Sequence, residues 1–119
     1  LAQFEASVRR VVDQSATPEV KFSIEVVGDR PAGQIAADHP LVRIGVRALA
    51  ATGIKAELET GSTDANVPLA MGCPAITLGV TRGGNAHRTD EFIEVSPVAA
   101  GLAHLALAVQ DTLRYLVGG

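Results

Sequence analysis

The segment from residue 61 to residue 91 restricts the possible folds of this chain more than any other. It reads Gly61-Ser62-Thr63-Asp64-Ala65-Asn66, then Gly72-Cys73-Pro74-Ala75-Ile76-Thr77-Leu78-Gly79, then Gly83-Gly84-Asn85-Ala86-His87-Arg88-Thr89-Asp90-Glu91. Two glycine-flanked polar loops therefore bracket a short apolar run at residues 75–80. A run that short, bounded by Pro74 and Gly79, reads as a buried strand rather than a helix. In an open α/β sheet, ligands collect in the loops at the strand ends, so the polar segments on either side are the places to look for chemistry.

The rest of the chain alternates in the same manner. Phe4, Val8, Val11 and Val12 recur at helical spacing and predict an amphipathic helix over residues 1–15, stopped by Ala16-Thr17-Pro18. Val20, Phe22, Ile24 and Val26 alternate with Lys21, Ser23 and Glu25, the period of a half-buried strand. Residues 28–38 are rich in Gly, Ala and Pro and read as a loop. Pro40 suits the first position of a second helix, with Leu41, Ile44, Val46, Leu49 and Ala50 on its apolar face and an end at Gly53. Residues 54–59 read as a strand. A short helix is expected from Asp64 to a C-terminal glycine cap at Gly72, and a short strand over residues 91–95. Pro97 opens the longest helix, with Leu102, Leu105, Val109, Leu113 and Leu116 on one face. From His39 onward this order implies an α/β layer with at least partly parallel strands. The leading helix and strand cannot bury both faces and both edges alone, and so require further chain or a partner.

Composition narrows the function classes. The 119 residues suffice for one domain. No apolar run approaches the roughly 18 residues of a membrane span. The net charge of −3 carries no basic cluster, and the aromatic residues are only Phe4, Phe22, Phe92 and Tyr115. That argues against a nucleic-acid surface, which needs a basic stripe and stacking rings. The lone Cys73 cannot form an internal disulfide, which points to a reducing, cytoplasmic setting. The chain opens at Leu1 without a signal peptide, and the missing initiator Met suggests an excised or processed piece of a longer protein.

Three places can carry chemistry. Histidine is the commonest protein metal ligand, and His87 follows a flexible Gly83-Gly84 approach just past the buried run. Ser62 or Thr63 can cap the helix that follows, Asp64 complements its dipole, and the free N–H groups there can hold an anionic oxygen. Arg30, in Gly28-Asp29-Arg30-Pro31-Ala32-Gly33, carries a planar fork suited to a carboxylate. His39 reads as a helix cap, His104 as exposed, and Cys73 as a small buried residue. Neither a P-loop nor a dinucleotide-binding fingerprint is present.

Taken together these segments resemble the end of the co-catalytic zinc peptidases and amidohydrolases, the family of peptidase T, aminoacylase and glutamate carboxypeptidase. The resemblance is dense between Gly28 and Val95. It implies the C-terminal part of an α/β/α catalytic domain over residues 31–119, preceded at residues 1–30 by a helix and strand from the family's lid, or dimerisation, domain. It further implies that His87 is a zinc ligand and that Arg30 grips the substrate carboxylate. Ser62, Thr63, Asp64, Asn66, Gly84 and Asn85 then frame the substrate pocket. The substrate would be a small peptide or N-acyl amino acid, the cofactor two zinc ions per intact site, and the assembly a homo-oligomer.

The departures matter as much. The family's upstream His-x-Asp pair, bridging aspartate and Glu-Glu pair are absent, so no residue here is assigned as catalytic and the chain alone is expected to be inactive. The alternatives are a stand-alone dimerisation module and a small-anion-binding module without catalysis.

Overall fold

The computed structural model describes residues 2–118. It contains four helices, α1 (Ala2–Ser15), α2 (Pro40–Ala51), α3 (Asn66–Ala70) and α4 (Val98–Gly118), and a two-stranded antiparallel sheet of β1 (Gly83–Gly84) and β2 (Phe92–Ile93). Gly83 stands opposite Ile93 and Gly84 opposite Phe92. The Glu94 N–H extends this pairing by donating to the Arg82 carbonyl at 2.8 Å.

The helix ends follow the local signals. His39 caps α2, its Nδ1 accepting the Leu41 N–H at 3.1 Å, and Pro40 fills the first turn. Gly72 ends α3 in the left-handed region at φ 77°. Its N–H donates to the Leu69 carbonyl at 3.1 Å and the Cys73 N–H to the Pro68 carbonyl at 2.8 Å, a paired closure that needs a left-handed residue at position 72. The helix begins at Asn66 rather than Asp64, because residues 63–66 form a turn of their own.

The core lies where α2 and α4 pack together. Ile44, Ala48 and Ala108 are buried there with Leu78 against them, and Val42 is buried nearby. On α4 the buried face is Gly101, His104 and Ala108, while Leu102, Leu105, Val109, Leu113 and Leu116 remain exposed. On α2 it is Val42, Ile44, Gly45 and Ala48, whereas Val46 and Ala50 are exposed. Close approach selects the small residues: a Cβ at position 101 would overlap the Val80 backbone. His104, read from the sequence as exposed, is 1% accessible, and Cys73, read as buried, is exposed.

Residues 20–26, 54–59 and 75–80 carry neither helix nor ladder. A strand is stabilised through a neighbour's hydrogen bonds, and among the described residues none pairs with them. Residues 56–60 and 75–79 together line a cavity of about 570 Å³ that α2 also borders. Helix α1 contacts no other element, and its Phe4 is 72% accessible.

The result is open. The radius of gyration is 20.3 Å, against about 13.5 Å for a compact domain of this length. The accessible surface is 9459 Å², roughly 3,400 Å² above that of a folded monomer of equal mass. Leucine, valine and phenylalanine side chains are among the large hydrophobics left exposed. No helix among the described residues is long and apolar enough to cross a membrane.

Candidate functional site

The loop at residues 61–66 is a small hydrogen-bonded knot built around Thr63. Its N–H donates to Asn66 Oδ1 at 2.8 Å, and its carbonyl accepts the Asn66 N–H at 3.1 Å. Its hydroxyl oxygen accepts the Ala65 N–H at 3.3 Å and the Thr77 hydroxyl at 3.0 Å. Thr77 comes from the apolar run at residues 75–80, so that segment and this loop are tied side chain to side chain.

A second segment joins the knot. Arg30 Nη1 donates to Ser62 Oγ at 3.3 Å, and Asn66 Nδ2 donates to the Pro31 carbonyl at 3.1 Å. The approach is close because Gly33 lies directly on α3, where any side chain would overlap Leu69. Arg30, Ser62, Thr63 and Asn66, four residues singled out from the sequence, are thereby brought into one cluster. Of the five N–H donors on the Arg30 fork, only the one on Ser62 is engaged among the described residues. No carboxylate pairs with its charge there. Asp64 is exposed in the same turn and caps no helix.

The loop at residues 83–91 differs from its sequence reading. Gly83 and Gly84 are held in the ladder with β2 rather than left as a flexible approach. Beyond them Asn85 (φ 59°) and His87 (φ 65°) both adopt the left-handed conformation. Asn and His tolerate this region better than most residues, and such outliers gather at ligand-binding turns. The Asn85 amide donates to Asp90 Oδ2 at 3.0 Å, and Arg88 Nε pairs with Asp90 Oδ1 at 2.9 Å. Asp90 is thus occupied by a cation and an amide. The His87 N–H donates to Glu91 Oε2 at 3.3 Å, while its imidazole is exposed and makes no hydrogen bond among the described residues.

Whether these residues fit zinc is a question of ligand number. A catalytic zinc takes about three protein ligands. Among the described residues no group of three or more His, Cys, Asp or Glu side chains is placed to hold a metal. His87 offers one exposed imidazole, a single ligand of that number among the described residues. The two loops share no hydrogen bond or ion pair.

Sequence reasoning missed two members of the Arg30 cluster, Thr77 and the Pro31 carbonyl. Thr77 was detectable as the one hydroxyl inside an apolar run. The carbonyl left no signal, since any residue presents one. No family model, curated protein or solved structure matches the chain.

Proposed function

We propose that this chain is the C-terminal portion of a zinc-dependent peptidase or amidohydrolase that hydrolyses a peptide or N-acyl amino acid amide bond. In this reading residues 1–30 belong to its lid domain and residues 31–119 to its catalytic domain. The chain's own share of the work is substrate binding. Arg30 presents its open fork to the substrate carboxylate, Ser62 orients the guanidinium, and the Thr63–Asn66 turn holds the loop that carries Ser62. The observation that supports this best is the Arg30–Ser62 hydrogen bond, which joins two segments 32 residues apart. It leaves a guanidinium with unused donors beside exposed backbone.

His87 contributes a single imidazole, and the remaining ligands and the general base must come from outside these residues. No hydrolytic step is assigned to the chain. The uncovered apolar faces of α4 and α1 support the same reading, because a catalytic domain cut through its core leaves the first and a lid domain without its other half leaves the second. They equally support a homo-oligomer through α1. A cytoplasmic setting belongs to the proposal and rests on the lone free thiol of Cys73. The second reading, a small-anion-binding module without catalysis, draws on the same unpaired Arg30.

The test is Arg30→Lys in the full-length protein. An ammonium cannot reproduce the fork, and loss of a charge-assisted hydrogen bond costs about 1.5–3 kcal/mol. KM for a substrate with a free carboxylate should rise roughly 10- to 100-fold on that basis. KM for the same substrate amidated at that carboxylate should change little. Equal losses on both substrates would make Arg30 a structural residue and remove the basis of the proposal.

A further inference from the structure

The most deeply buried large side chain on the described surface of α4 is polar. His104 is 1% accessible, with both ring nitrogens within hydrogen-bonding distance of partners. Nε2 lies 2.9 Å from the Gly79 carbonyl oxygen, and Nδ1 lies 3.3 Å from Thr52 Oγ1. Thr52 is the residue that ends α2, and its hydroxyl also lies 2.9 Å from the Leu49 carbonyl.

The chemistry of these partners fixes the proton. A carbonyl oxygen can only accept, so Nε2 carries the hydrogen. In the neutral ring Nδ1 is then an acceptor. The single Thr52 hydroxyl hydrogen is aimed either at Nδ1 or at the Leu49 carbonyl. The ring therefore connects the end of α2, the middle of α4 and Gly79.

Gly79 is where this connection acquires a consequence. The Val80 backbone packs directly on Gly101, one helical turn before His104, so α4 grips two successive residues of the same segment. Beyond this grip the chain has few ties before it reaches β1. They are the Thr81 hydroxyl on the Glu94 carbonyl, the Glu94 N–H on the Arg82 carbonyl and an exposed Arg82–Glu94 ion pair at 3.9 Å. The loop bearing Asn85 and His87 follows at once.

We propose that His104 is a positioning residue for the His87 loop. Protonated at Nε2, it fixes the Gly79 carbonyl, and with it the point and direction from which residues 81–91 leave the core. That this loop serves a metal site rests on the proposed function. The anchoring role does not, and it would survive a failure of that reading.

The experiment combines histidine ¹⁵N spectra of the full chain with amide hydrogen exchange in two variants. His104→Gln keeps a donor for Gly79 and an acceptor for Thr52, while His104→Phe keeps ring volume and loses both. Anchoring predicts an Nε2–H tautomer at His104. It predicts at least tenfold faster exchange of the Glu94 and His87 amides, which are bonded to the Arg82 carbonyl and the Glu91 carboxylate, in His104→Phe while α2 keeps its protection, and a return toward the unsubstituted rate in His104→Gln. Simple filling of core volume predicts the reverse order, with Phe tolerated and Gln disruptive. That reverse order, or an Nδ1–H tautomer, would overturn the proposal. Should His104→Phe fail to fold, the tautomer and the exchange of His104→Gln still decide. Neither readout depends on zinc or turnover, so His87 proving not to be a ligand would leave these outcomes unchanged.

Discussion

Truncating Ile44 and Leu113 to alanine separates the two possible cores of this chain. Ile44 is 2% accessible and packs with Ala48, Ala108 and Leu78. Ile→Ala removes three carbons, worth about 2.4 kcal/mol of transfer free energy at roughly 0.8 per methylene. A cavity term adds to this, because the surrounding structure relaxes only in part, and the total should reach about 3–4 kcal/mol. Leu113 is 57% accessible, so less than half of the same transfer term applies and no cavity forms, giving about 1 kcal/mol or less. Urea denaturation of the 119-residue chain, followed by far-ultraviolet circular dichroism, is the assay. With a slope of about 1–3 kcal/mol/M, Ile44→Ala should lower the midpoint by at least about 1 M or abolish the transition, and Leu113→Ala should lower it by no more than half as much. Equal shifts would refute the reasoning and restore the leucine stripe of α4 as the core. In any assembly that covers α4, Leu113→Ala should become costly too, rising into the range of about 2–5 kcal/mol for a buried leucine.

Gly101→Val places a side chain on the Val80 backbone and should cost at least the roughly 1–3 kcal/mol of an overpacked core. Thermal melts check this, and an unchanged midpoint would mean that α4 does not sit on residues 79–80. The 119 residues alone should hydrolyse neither peptides nor N-acyl amino acids with zinc added, since one imidazole cannot hold a catalytic zinc; turnover that persists after controls for contaminating peptidase would contradict this. In the full-length protein, His87→Ala should lower bound zinc, measured by atomic absorption, and leave stability within about 1 kcal/mol, because the ring is exposed. Two tightly bound zinc ions in that variant would remove His87 from the ligand set.

The elements that could be read from the sequence are those whose signals are local. Pro40 with the His39 side chain before it marks the start of α2, and Gly53 and Gly72 mark the ends of α2 and α3 through their left-handed backbone, each where the structure places that boundary. The short β2 strand was likewise legible from Phe92 and Ile93. Its partner was not: Gly83-Gly84 has no side chains from which to read a period, and so it resembled a flexible loop. At the candidate site, Arg30, Ser62, Thr63 and Asn66 were visible as residue types in turns. Their meeting depends on Gly33 lying against α3, a distance that no spacing encodes.

Helix α4 shows why the buried face could be misread. It is apolar nearly all round, and a periodicity argument picks out its bulkiest residues, the leucines at 102, 105 and 113. Packing against α2 and the Val80 backbone instead selects the smallest residues, because only Gly101 and Ala108 permit the approach, and one polar ring fills the space between them. Both readings become compatible once α4 is given two sides. The small face meets α2 and residues 79–80, and the leucine face is left for a cover that the described residues do not provide. Residues 20–26, 54–59 and 75–80 have the same character, since alternation says which side of a strand is buried but a ladder needs a second strand. The roughly 3,400 Å² of surplus surface includes these unpaired segments and the leucine face. His104, exposed if the leucine stripe faced the core, lies instead on the small face, where its ring is 1% accessible and bonded to Gly79.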